Sequence, residues 1–146
     1  MTNSLTRRTL LASTALTLLP VAAGRAVAAT ASPAGATAYI ITPRDGAKVK
    51  SPVVVRFGLK GMGVTHAGDE FKNAGHHHLL VDVTDKLDPD TPIPADEHHL
   101  HFGAGQTETT LDLPKGKHTL QLVLGDAGHV PFNPSVESKK ITITVI

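Results

Sequence analysis

Apolar residues in this chain recur at every second position, in short runs that end on glycine, proline or acidic residues. Val53, Val55, Phe57 and Leu59 share one face of an extended segment, as do Leu120, Leu122 and Leu124, and then Ile141, Ile143 and Val145. That period of two is the signature of half-buried strands. Residues 39–41, 76–83, 98–102 and 107–113 add further strand candidates, and turns at 43–46 and 114–117 separate their neighbours. Helical periodicity is not sustained over three turns anywhere. Pro89, Pro92 and Pro94 exclude a helix from the acidic segment 84–97. About seven to eight short strands at near-regular spacing predict an all-β fold, an immunoglobulin-like antiparallel β-sandwich forming a single domain over residues 38–146.

The chain ahead of that domain has a different character. Residues 1–29 read as a cleaved export signal: Arg7 and Arg8, an apolar run over 10–23, then the small-residue box Ala26-Val27-Ala28. The run is too short, and too rich in Ser, Thr and Ala, to span a membrane stably. Thr6-Arg7-Arg8-Thr9-Leu10-Leu11 resembles the twin-arginine export motif, with Leu10 where Phe is usual. That resemblance implies export of an already folded protein, so the expected location is periplasmic or secreted. Residues 30–37, rich in Ala, Ser, Pro and Gly, read as a short tether. There is no cysteine, hence no disulfide and no lipid anchor, and the mature domain must hold together on its core alone.

Cleavage also changes the charge. Removing Arg7, Arg8 and Arg25 takes the 14 basic residues to 11 against 13 acidic ones, a net charge of −2. No basic block remains, which argues against nucleic acid as a partner. One Tyr, four Phe and no Trp leave little material for stacking sugars or bases.

Histidine is the residue in excess: nine in 146. In Gly75-His76-His77-His78-Leu79-Leu80-Val81-Asp82 the strand period places His76 and His78 on one face and His77 with Leu79 and Val81 on the other. Histidines at i and i+2 have Cα atoms about 6.6 Å apart, close enough for both rings to lean onto one ion. A second pair, His99 and His101, follows twenty residues on, and His129 sits in a loop beside Asp126. His76, His78, His99, His101, His129 and Asp126 are therefore the candidate metal ligands. Imidazole without thiolate suits copper or zinc, and affinity is expected to collapse as pH falls through about 6.5, the free-histidine value. His118, aligned with buried leucines, reads as a hydrogen-bonded structural residue, and His66 as a surface one. The acids of segment 84–97 lack the register of a calcium loop.

From about Tyr39 onward the chain resembles a family of small exported bacterial proteins known as domain of unknown function 4399. The matching pieces are Gly75–Asp82, the Pro92-Ile93-Pro94-Ala95-Asp96-Glu97 run, His99-Leu100-His101-Phe102-Gly103, Gly116-Lys117-His118, and Gly125-Asp126 with His129-Val130-Pro131. The resemblance implies the fold and the site positions and leaves the chemistry open. His99-Leu100-His101-Phe102-Gly103 also faintly resembles the histidine strand of copper-zinc superoxide dismutases. His76-x-His78 with Pro114-x-Gly116-x-His118 resembles the two cupin motifs, the second one residue short. No Gly-x-Ser-x-Gly and no cysteine nucleophile is present. The expected function is transition-metal binding by an exported sandwich, with copper or zinc as the cofactor. The alternatives are a metal-free envelope or adhesion module, and then a copper oxidoreductase of dismutase-like or cupin-like type.

Overall fold

The computed structural model describes residues 29–146, so the expected twin-arginine motif and cleavage box lie outside the described residues. Nine strands follow one another with no helix among the described residues. They are β1 (Thr37–Thr42), β2 (Lys48–Val49), β3 (Val53–Lys60), β4 (Gly63–Val64), β5 (Ala74–Val81), β6 (His99–Phe102), β7 (Glu108–Leu111), β8 (Gly116–Gly125) and β9 (Ile141–Val145). One sheet has the order β1-β3-β7, and the other β2-β9-β8-β5-β4, with β6 also paired to β5.

The pairing is antiparallel except at two short ladders, β2 with β9 and β4 with β5, which run parallel. That corrects the expectation of a purely antiparallel fold. After the turn at 43–46 the chain crosses to the other sheet and runs along the open edge of β9. There Thr144 N donates to Ala47 O at 2.9 Å and Ile146 N to Val49 O at 2.9 Å. Short protected edges of this kind satisfy backbone groups that would otherwise face a new partner.

Both sheets contribute to one apolar core. Ala38, Val53, Val55, Phe57 and Leu111 come from the small sheet, and Leu79, Val81, Phe102, Leu120, Leu122, Ile143 and Val145 from the large one. The alternation read in the sequence holds here: Leu120 and Leu122 are fully buried. His77 joins this layer, with its ring 5.2 Å from that of Phe57.

The large sheet is covered on its other face too, which explains why β5 is buried from Gly75 to Val81 rather than on alternate residues. Leu80 and Val123 on that outer face pack under Ile93 of the proline-rich segment, with Val83 and Leu87 beside them. Burial on both faces converts an alternating strand into a continuous apolar one. The segment 30–37, expected as a tether, is hydrogen-bonded to the domain. Ser32 N donates to Asn133 O at 3.1 Å, Asn133 N to Thr30 O at 2.9 Å, and Thr30 Oγ1 to an Asp126 oxygen at 2.7 Å. No described helix is long and apolar enough to cross a membrane.

Candidate metal centre

The strand period sends His76 and His78 to the outer face of the large sheet, opposite to His77. Ladder register then selects their neighbour. On β6, His101 pairs with His78 and His99 pairs with Leu80. Cross-strand partners in an antiparallel ladder sit side by side on one face, so His101 lies against His78 while His99 is displaced along the strand. His129 arrives from the loop after β8. His76 pairs with Gly125 at the end of that strand, which brings the loop over the histidine face.

The result is a four-ring cluster. His76, His78, His101 and His129 each offer one ligand atom, and these four atoms lie within 4.8 Å of one another. Ring centroids are separated by 4.8 Å for His76–His78, 5.0 Å for His76–His101, 4.9 Å for His76–His129 and 5.1 Å for His78–His101. His101–His129 is 4.8 Å and His78–His129 5.9 Å. Every ring thus neighbours the other three. One nitrogen pair, His76 Nε2 and His129 Nδ1, is 3.1 Å apart. Four nitrogens at about 2.0–2.1 Å from a tetrahedral ion are separated by about 3.3 Å, so the His76–His129 edge is already at that scale within a set that spans at most 4.8 Å.

Two glycines make room for the rings. A Cβ on Gly125 would meet His78 Cε1 at 2.7 Å, and a Cβ on Gly103 would meet His101 Cε1 at 2.3 Å. These contacts give a physical reason for glycine in Gly125-Asp126 and Phe102-Gly103. The cluster is buried at His76 and His78, partly open at His129 and exposed at His101. Over it, Ala67 N donates to Gly103 O at 2.8 Å, Gly68 N to Ala127 O at 3.1 Å and Ile93 N to His129 O at 2.9 Å.

Electrostatics keep the cluster ready for a cation. Burial, reinforced by the neighbouring imidazoles His129 and His101, pushes His76 down to about 4. Burial, with His76, His101 and His129 adding to it, pushes His78 down to about 3. His101 is lowered by burial and by His129. At pH 7 these rings are neutral, the state in which imidazole binds a metal. Nδ1 of His76 and of His78 is buried with no hydrogen-bond partner, as are both ring nitrogens of His77 on the core side of the sheet. Leaving a buried polar group unpaired costs about 1–3 kcal/mol.

The remaining sequence candidates lie outside the cluster. His99 donates from Nδ1 to Asp96 Oδ1 at 2.8 Å, and the same oxygen accepts from the backbone N–H of His98 and His99. Asp126 accepts at Oδ1 from Gly128 N at 2.9 Å and Val130 N at 3.0 Å, and at Oδ2 from Thr30. His118 contacts Asp82 Oδ2 through Nδ1 at 2.7 Å and Pro114 O through Nε2 at 2.9 Å. Both acceptors take a donor, an arrangement that favours the protonated ring, and the Asp82 hydrogen bond raises the His118 pKa. His66, with 68% of its side chain exposed, stands near Asp69. The clearance glycines and the Asp82–His118 pair went unread in the sequence. Asp82 takes a left-handed backbone (φ 57°) that turns its carboxylate to His118, and periodicity carries no sign of that.

Residues 55–146 match the family described as Domain of unknown function (DUF4399). The chain belongs to the DUF4399 family. All four clustered histidines fall inside the matched region of the DUF4399 domain. Comparison with curated proteins gave no significant match. Among solved structures, this DUF4399 chain is similar to the endo-beta-1,4-mannanase from Thermotoga petrophila. That likeness has 21% identity and a TM-score of 0.44, over 76% of this chain and 20% of the mannanase chain. The chain therefore spans about a fifth of that enzyme's length.

Proposed function

We propose that this chain is an exported metal-binding protein that holds one transition-metal ion, copper or zinc, on the imidazoles of His76, His78, His101 and His129. The observation that carries this reading is the convergence of four histidine donor atoms within 4.8 Å, two of them on fully buried rings. These four histidines converge on one another, and Nδ1 of His76 and of His78 is buried without a hydrogen-bond partner. With no thiolate in the chain and no carboxylate in the cluster, an all-nitrogen set favours Cu(II) over the other divalent first-row ions, while a closed four-nitrogen tetrahedron is the arrangement a structural Zn(II) takes. Calorimetric titration of metal-stripped protein tests it. One tight equivalent is expected, weakened strongly in His78→Ala and His101→Ala and unchanged in His66→Ala. Equal weak binding in the parent and all three variants would overturn the reading.

The finer architecture we propose is immunoglobulin-like. The first two strands divide between the sheets, β2 runs parallel to the last strand, and β9, β8, β5 and β6 follow in order on the large sheet. That order supports an immunoglobulin-type strand plan with its first strand switched. The leader supports twin-arginine export, and replacing Arg7 and Arg8 by lysine should leave the precursor in the cytoplasm.

A second reading, a metal-free envelope or adhesion module, is favoured by one observation. Tyr39, Ile41 and Val54 on the small sheet are 47%, 53% and 43% exposed, apolar area that an interaction partner would cover. Catalysis by a bound copper is the third reading, and the solvent exposure of His101 is the feature that admits it.

A further inference from the structure

We propose that Asp126 is a positioning residue that fixes the ligand His129 without touching the ion, and that Thr30 in the N-terminal segment latches it. This inference rests on the four-imidazole reading above. Three of the four ligands sit on β5 and β6, where ladder hydrogen bonds set their spacing. His129 alone comes from a loop, and its backbone is in the left-handed region at φ 67°. A non-glycine residue keeps that conformation only when its surroundings enforce it.

Asp126 supplies the enforcement. Its Oδ1 accepts from the N–H groups of Gly128 and Val130, one on each side of His129. Its backbone N donates to Val130 O at 2.9 Å, and its backbone O accepts from His129 N at 2.9 Å. The turn from 126 to 130 is thus closed around a single side chain that is 8% exposed. The other carboxylate oxygen accepts from Thr30 Oγ1 at 2.7 Å. Thr30 is itself held by Asn133 N, which donates to its carbonyl, and Ala31 bridges to Asn133. With three donors on two oxygens, Asp126 is committed to the loop, and it lies outside the group of four donor atoms.

The test is a double-mutant cycle on the full chain, read by Cu(II) competition against a chromophoric chelator. Alongside it run the nitrogen hyperfine pattern of the Cu(II) spectrum and the melting of the metal-free protein. Asp126→Ala is expected to weaken Cu(II) binding by about 10–100-fold, the range for a residue that orients a ligand. Asp126→Asn keeps an oxygen for the Gly128 and Val130 N–H groups and should lose less, and Thr30→Val less still. In a His129→Ala background, Asp126→Ala should cause no further loss, because the ligand it positions is gone. The Asp126→Ala spectrum should match that of His129→Ala. Equal losses from Asp126→Ala in both backgrounds would overturn the proposal, since Asp126 would then act independently of His129. Parent affinity in Asp126→Ala, with binding still lost in His78→Ala, would overturn it and leave the four-imidazole reading standing. Parent affinity in His78→Ala would overturn both. If Asp126→Ala fails to fold, Asp126→Asn and Thr30→Val carry the same cycle.

Discussion

Replacing Gly103 by alanine should displace one ligand from the metal centre and leave the fold intact. The added Cβ would lie 2.3 Å from His101 Cε1, 2.6 Å from Nε2 and 3.0 Å from Ala67 Cβ, where ordinary contact is 3.4–4 Å, so Ala67 must also give by a few tenths of an ångström. The ring must withdraw by roughly 1 Å or more to escape that overlap. His101 is exposed, so it can swing into solvent, and Gly103 is not held in the left-handed backbone region. Stability of the metal-free protein should therefore stay within about 1 kcal/mol of the parent. Affinity for Cu(II) or Zn(II) should fall about 10–100-fold, which corresponds to about 1.4–2.8 kcal/mol. Gly125→Ala makes the contrast. Its Cβ would meet His78 Cε1 at 2.7 Å and His129 Cα at 3.4 Å, and His78 is 1% exposed with no space to retreat into. Overpacking of that kind costs about 1–3 kcal/mol, so this variant should lose melting temperature as well as metal. The assays are competition titration for affinity and calorimetric melting for the apo form. A Gly103→Ala protein that binds with parent affinity would refute the placement of His101 in the site.

Three further outcomes follow from the same geometry. Leu122, fully buried between the sheets, should cost about 2–5 kcal/mol when replaced by alanine, and a denaturant midpoint shift equivalent to less than about 0.5 kcal/mol would remove that strand from the core. Among the ligands, the His76 and His78 rings should stay neutral from pH 7 to about pH 5, because burial, with the neighbouring imidazoles adding to it, puts His76 at about 4 and His78 at about 3; ring NMR shifts that show either one protonating above pH 6 in the metal-free protein would contradict this. The apo fold should respond to pH on two limbs. His76, His77 and His78 are all lowered in the folded state, so the unfolded chain takes up protons first and stability falls as pH drops from about 6.5 towards 4. His118 is raised, so its contribution is complete below about 6.5 and is lost as pH rises through the folded value. Denaturant midpoints for the parent and His118→Asn across that range check the alkaline limb, and identical slopes would refute it.

The large strands were legible because apolar alternation is local. Leu120, Leu122 and Leu124, or Val53, Val55 and Phe57, announce a buried face without any knowledge of the fold. The pairing of His76 with His78 was legible for the same reason. Choosing between His99 and His101 was not, since both share a face and only the register of β6 on β5 decides which one meets His78. That register is set by the whole hydrophobic pattern and by a proline-rich connection whose Ile93 is buried, a burial that no periodicity announces. His129 was legible as a loop histidine beside an acid. The task of that acid was not, because Asp126 turns its oxygens to backbone N–H groups and to Thr30. Such contacts depend on a left-handed turn and on a docked N-terminal segment that composition describes as a tether.

The ligand set itself is open to direct measurement by X-ray absorption on protein loaded with one equivalent of Cu(II) or Zn(II). Convergence of His76, His78, His101 and His129 predicts a shell of nitrogen scatterers at about 2.0–2.1 Å, with the outer-shell pattern of three to four imidazole rings. A shell dominated by oxygen, or one that needs fewer than two imidazoles, would contradict the assignment of these four histidines as a metal centre.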